Sequence, residues 1–158
     1  MTEKTARPPA RGMYFEDFQI GYSIQSPGRT ITETDVVTFA GLSGDYNQLH
    51  TDEVYASAGQ FGARVAHGLL GLSIASGLAL RLGFMEGTVD AFLSLEWKFR
   101  RPIYIGDTIH VTAEVVNTRA MRRAGGGIVD FDVAVVNQDG QSVQKGQWRV
   151  LVKARGDE

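Results

Sequence analysis

Apolar and polar residues follow two different rhythms along this chain, and the change comes near Gly87. Before it the spacing is helical. Thr32-Glu-Thr-Asp35 sets a threonine cap three residues ahead of an acid, and Val36, Val37, Phe39 and Ala40 follow on one side. A helix is expected there, ending at Gly41 or Gly44. Asp52 to Ala58 predicts a second, short helix with Val54 and Tyr55 inward. From about Gly68 to Leu82 apolar residues occupy every side, interrupted only by Ser73, Ser76 and Arg81. At ~1.5 Å per residue this run spans roughly 22 Å, short of a ~30 Å bilayer core. It reads as a buried helix that a sheet wraps around.

After Gly87 the period becomes two. Leu93, Leu95, Trp97 and Phe99 share one face of an imperfect alternation. Pro102 interrupts it, and Gly106-Asp107 turns the chain into a strand from Thr108 to Asn117. Gly125-Gly-Gly127 reads as a mobile link. Ile128–Val136 and Val143–Lys153 form a last pair of strands across Asn137-Gln-Asp-Gly140, a strong hairpin signal. Upstream, Tyr14 to Ile31 supplies a strand or two, turning at Gly21 and Pro27-Gly28. Helices first and antiparallel strands after predict an α+β fold, one sheet curled around one central helix. A single helix cannot cover every strand face, so the leftover apolar surface and edges predict a homodimer.

The chain of 158 residues has the size of one domain, expected over 13–158. Residues 1–12 are polar, with Pro8-Pro9 and the basic Lys4, Arg7 and Arg11, and are expected to be a disordered N-terminal extension without a signal peptide. A net charge of −2 gives no electrostatic reason to expect nucleic acid or a membrane as partner. The absence of cysteine removes disulfides, thiolate nucleophiles and cysteine-ligated metals, and fits a cytoplasmic location.

The chemistry concentrates between Phe39 and Gly68. Gly44-Asp45-Tyr-Asn47-Gln-Leu-His50-Thr-Asp52 puts an acid, a carboxamide and an imidazole within six residues. Taken alone, an Asp and a His at this spacing are better explained by a turn and a helix cap. Asn47 fits a loop brace bonded to the backbone. Phe61-Gly-Ala-Arg64-Val-Ala-His67-Gly68 then leads into the long apolar helix. Gly68, without a side chain, leaves a helix-opening amide open to a negatively charged oxygen, though tight packing would also explain a glycine there. His67 either lines the site or serves a helix end.

These segments together resemble the signature of the MaoC-like, (R)-specific enoyl-CoA hydratases, which have the hotdog fold. Trp97-Lys-Phe-Arg-Arg-Pro102-Ile-Tyr-Ile-Gly106-Asp107 is similar to the strand and turn that follow in that family, and the likeness runs from about Tyr14 to Val152. The resemblance implies reversible hydration of trans-2-enoyl-CoA to (R)-3-hydroxyacyl-CoA, without metal or redox cofactor. It also implies a homodimer with the pantetheine arm near the interface. Asp45 and His50 match the catalytic pair, Asp45 as main base toward water and His50 as its partner in orienting water and delivering the proton. Gly68 is the expected oxyanion contact. Ser76 matches a serine near the site, although on helical spacing it equally suits a core serine bonded to a carbonyl. Gln48 departs from the family's usual proline, which bears on loop stiffness and substrate.

Other chemistry is weaker. Gly71-Leu-Ser73-Ile-Ala75 nearly copies a nucleophile elbow but falls mid-helix. Three histidines without an HxxxH pairing predict no metal. Among Arg64, Arg100, Arg101, Arg122 and Arg123, Arg64 is the first candidate for a CoA phosphate, and solvated surface is expected for most of the others. A hotdog thioesterase and a non-catalytic acyl-CoA or acyl-carrier-protein binding module are the competing readings.

Overall fold

The computed structural model describes residues 10–156. The expectation for the N-terminal extension falls mostly on residues 1–9, outside the described residues. Gly12 and Met13 are held by Gly83 and Phe84, through backbone bonds of 2.9 and 2.6 Å.

The strands are β1 (Ser23–Gln25), β2 (Arg29–Thr30), β3 (Val89–Phe99), β4 (Thr108–Met121), β5 (Gly126–Val136) and β6 (Ser142–Lys153). The helices are α1 (Glu33–Ser43), α2 (Gln48–Thr51), α3 (Glu53–Ser57) and α4 (Gly68–Leu80). The antiparallel sheet runs β1-β4-β5-β6-β3, and β2 pairs with β4. Its inner face and α4 enclose a core of Val111, Val115, Phe131, Val133, Trp148 and Val150 with Leu70, Ala75 and Leu78. The α+β architecture is as the periodicity predicts.

Several local expectations meet a correction. The alternation in β3 is imperfect because the register shifts between Phe92 and Ser94. Phe92 pairs with Val150 and Leu95 with Trp148, both inward residues, so the bulge at Leu93 moves the inner face from even to odd positions. Val54 and Tyr55 are exposed, at 85% and 54%. α3 is only five residues long and turns Ala56 inward instead. On α1, Val36 and Ala40 are buried one turn apart while Val37 faces out. Gly125–Gly127 is no mobile link. Gly126 and Gly127 pair with Lys153 and Val152, and side chains there would run into Val152 and the Phe15 ring.

The sheet covers one side of α4 only. Leu69, Ser73, Gly77 and Leu80 are exposed along the other side. Beside that stripe, β3 is the sheet's edge, and its inward residues Phe92, Leu95 and Phe99 stay about half exposed at 47%, 46% and 55%.

Candidate active site

A stepwise series of side-chain caps builds the acid–imidazole loop. Thr32 caps α1 in a capping box with Asp35, as its sequence predicts. Asp35 is pushed up by partial burial, but bonds from Thr32 and Arg29 outweigh this and hold its carboxyl below the ordinary range. α1 ends at Gly44, whose φ of 77° is left-handed and reverses the chain. Asp45 Oδ1 then accepts the Asn47 N–H at 3.1 Å, and Asn47 Oδ1 accepts the Leu49 N–H at 2.9 Å, capping α2. Asn47 is thus a brace.

The second half of the site is pinned to the first. Val65 N–H reaches Leu49 O at 3.3 Å, Ala66 N–H reaches Ile103 O at 2.8 Å, and the Tyr104 hydroxyl donates to Phe61 O at 3.0 Å. His50, 8% exposed, bonds through Nδ1 to Val65 O at 2.6 Å. A carbonyl only accepts, so in the neutral ring Nδ1 carries the proton and Nε2 keeps its lone pair for a ligand.

A carboxylate oxygen of Asp45 and ring nitrogens of His50 and His67 lie within 4.8 Å of one another. His50 and Gly68 also line a cavity of about 440 Å³ with Phe99, Arg100, Arg101 and Gln144. Asp45 is exposed and lies outside that lining. Gly68 opens α4, and the first helical N–H to find its carbonyl is Gly71, to His67 O at 3.2 Å. The amides before it are the free donors of a helix start.

The same three groups make a poor metal site. The His50 and His67 rings stack, with centroids 3.8 Å apart and planes 27° apart. Lone pairs lie in the ring planes, so they run side by side instead of converging on an ion at about 2.0–2.1 Å.

Other expected site residues lie elsewhere. Arg64 donates to both Glu33 oxygens at 2.8 and 2.7 Å and to Glu53 at 2.7 Å. These bonds raise its pKa and lower that of Glu33, and they occupy the guanidinium expected for phosphate. The Ser76 hydroxyl donates to Ser73 O at 2.7 Å, the back-bond to a carbonyl expected of a helical serine, but Ser76 is only partly buried and does not line the cavity. His67 is 2% exposed and bonds to the Asp45 backbone.

Arg100 and Arg101 are exposed, as expected for most of these arginines, and they also line the cavity. Gln144 had no sequence signal. A glutamine in a strand is ordinarily a surface residue, yet here it is 2% exposed. It accepts from Trp97 Nε1 and donates to Gly68 O, both at 3.0 Å.

A curled antiparallel sheet over a central helix is the hotdog architecture. A Mycobacterium tuberculosis protein described as a double hotdog fold superposes with a TM-score of 0.82 over 93% of this chain and 46% of its own, at 21% identity. The MaoC like domain model matches residues 17–137, and the chain belongs to that family.

Among its relatives, the (R)-specific enoyl-CoA hydratase of Rhodospirillum rubrum is 36% identical over 90% of this chain and 94% of its own. Protein MaoC of Klebsiella aerogenes is 41% identical over 62% of this chain, which spans only 29% of that longer protein. Of solved structures, an Archaeoglobus protein titled a monoamine oxidase regulatory protein has a TM-score of 0.86 at 37% identity, covering 96% of this chain and 99% of its own. The unliganded R-hydratase PhaJ1 of Pseudomonas aeruginosa has a TM-score of 0.77 at 28% identity, covering 91% and 88%.

Proposed function

We propose that this chain is a hydro-lyase that reversibly hydrates trans-2-enoyl-CoA thioesters to (R)-3-hydroxyacyl-CoA. The observation that carries this reading is the approach of the Asp45 carboxylate and the His50 ring to within 4.8 Å. His50 and Gly68 share the adjoining cavity. The names of the relatives favour the same chemistry and the (R) outcome.

In this reaction one water sits between the pair. His50 Nε2 accepts one of its hydrogen bonds and fixes its direction. Asp45 removes the other proton as the oxygen adds to the β-carbon. The thioester oxygen gains enolate character and takes a hydrogen bond from the Gly68 N–H, a contact worth about 3 kcal/mol in comparable oxyanion sites. With its proton on Nδ1 against Val65 O, His50 has none on Nε2 to give, so in place of the delivery expected of His50 the same proton returns from Asp45 to the α-carbon, and both additions fall on one face. Arg100 and Arg101 at the cavity suit the phosphates of the carrier. The exposed stripe on α4 and the half-exposed inner face of β3 support a two-fold dimer through that side.

The test is turnover of crotonyl-CoA by the purified protein, followed as loss of enoyl absorbance with a thiol dye present. Absorbance should fall with no thiol released, which separates hydration from thioester cleavage. Asp45→Asn should lower kcat by about 10²–10⁴-fold. Asparagine keeps the oxygen that accepts the Asn47 N–H, so the fold should persist. No turnover across enoyl-CoAs of several chain lengths would overturn the reading.

A further inference from the structure

His67 touches each part of the site without facing the cavity. Its Nε2–H donates to the main-chain carbonyl of Asp45 at 2.9 Å. Its ring stacks on His50 at 3.8 Å, and Phe39 packs against it at a tilt, 4.9 Å between centroids. It is also the residue before Gly68, at the N-cap of α4, yet its side chain makes no cap hydrogen bond. The ring is turned away from the helix amides toward Asp45, which leaves those amides free. At 2% exposure, with Nδ1 buried and unpartnered among the described residues, it is out of reach of a bulky substrate.

We propose that His67 is the positioning residue that sets the separation of Asp45 and His50, an inference that rests on the hydratase reading of this site. The carbonyl bond fixes where the Asp45 backbone lies, and the stack fixes the plane of the His50 ring. A packing residue would need the ring's volume but not its N–H. The distinction can be measured.

Three substitutions separate the two contacts. His67→Phe keeps an aromatic ring against His50 and deletes the donor. His67→Gln carries an amide N–H at about the reach of Nε2. His67→Asn carries one at the level of Nδ1, too short to meet the Asp45 carbonyl. With crotonyl-CoA, Phe and Asn should lower kcat by roughly 10–100-fold, the scale of a displacement near 1 Å, with KM within about twofold. Gln should recover most of kcat. Native turnover by the Phe variant, or a Gln variant no better than Asn, overturns the proposal. Crystal structures of native protein and the Gln and Asn variants give a readout independent of activity. The Asp45–His50 separation should be kept in Gln and widened in Asn, and an unchanged separation in Asn overturns the proposal even if the native chain hydrates nothing. Should the native protein lack turnover while the separation follows this pattern, the hydratase reading fails and the positioning role stands.

Discussion

Phe99 lies across Gly68. A Cβ built on that glycine would stand 2.8 Å from two carbons of the ring, Cδ1 and Cε1. The ring is 55% exposed and can swing aside, so Gly68→Ala should leave the fold intact. The added methyl would still crowd the approach to the amide that opens α4. The expected result is a kcat lower by about 10²-fold or more, the scale of losing an oxyanion donor, with a nearly unchanged melting curve. Unaltered kcat in a folded Ala variant would remove Gly68 from the mechanism.

Gly71, one turn further along α4, has no such freedom. Its Cβ would lie 2.5 Å from Gln144 Nε2 and 2.8 Å from Ile103 Cδ1, both on buried residues. Gln144 is held at both ends by Trp97 and Gly68, so it cannot withdraw without breaking a bond. Gly71→Ala should therefore destabilise the protein by about 1–3 kcal/mol through overpacking. A lower urea midpoint at unchanged m-value would show it. The usual advantage of alanine in a helix, about 1 kcal/mol, would appear instead if the space were open.

These two glycines show where sequence reading stops. Thr32, Asp35 and Gly44 announce α1 because caps and left-handed turns are local, written within a few residues of where they act. The Asp45–His50 loop is legible for the same reason. The ion pairs of Arg64 are not legible because its partners, Glu33 and Glu53, are 31 and 11 residues away, and nothing in the spacing declares that they meet. Gln144 is 76 residues from Gly68, and only the folded sheet puts it there. The face of β3 is obscured by a bulge that hydrophobic alternation cannot locate within a run where Phe92, Leu93 and Leu95 are all apolar.

Gln48 stands at the first position of α2, directly after the Asn47 cap. At that position a proline loses no helical hydrogen bond. The preceding residue must be extended for proline to fit, and Asn47 has φ −52° and ψ 136°. Gln48→Pro should thus stabilise the protein by about 0.4–1 kcal/mol through the unfolded chain. A thermal midpoint raised by about 1–4 °C, with the Asp45–His50 pair still active, is the expected measurement. A fall in stability would mean that the loop needs the freedom glutamine allows.

Leu95 tests the association. It faces inward on the edge strand, paired with Trp148, yet is 46% exposed. If a second copy covers it, light scattering should give about twice the chain mass. Leu95→Asp should then yield monomer with native circular dichroism, because a carboxylate at an interface core is costly to desolvate. A native monomer at micromolar concentration would leave this apolar face without its proposed partner.

Asp130 and Arg149 set an acid limit on stability. They face each other on β5 and β6, joined by bonds of 2.7 and 3.0 Å, with Asn117 adding a third to the carboxylate at 3.1 Å. The Arg149 bond, opposed by burial and aided by Asn117, holds the Asp130 pKa below its ordinary 3.8. The unfolded chain therefore takes up this proton at higher pH than the folded one. The ion pair's stability is complete above the unfolded value and is lost as pH falls through the folded value. Arg149 is 49% exposed, so solvent screening keeps the contribution small. Glu33 is also depressed and will add its own acid slope, which makes the comparison with a variant necessary. Asp130→Asn should be less stable than native protein at pH near 7, and the gap should close as pH falls through the ordinary carboxylate value of 3.8 and on through the lower folded one. A gap in denaturation midpoint that stays constant over that range would show that the carboxylate's charge is not what holds β5 to β6 at this point.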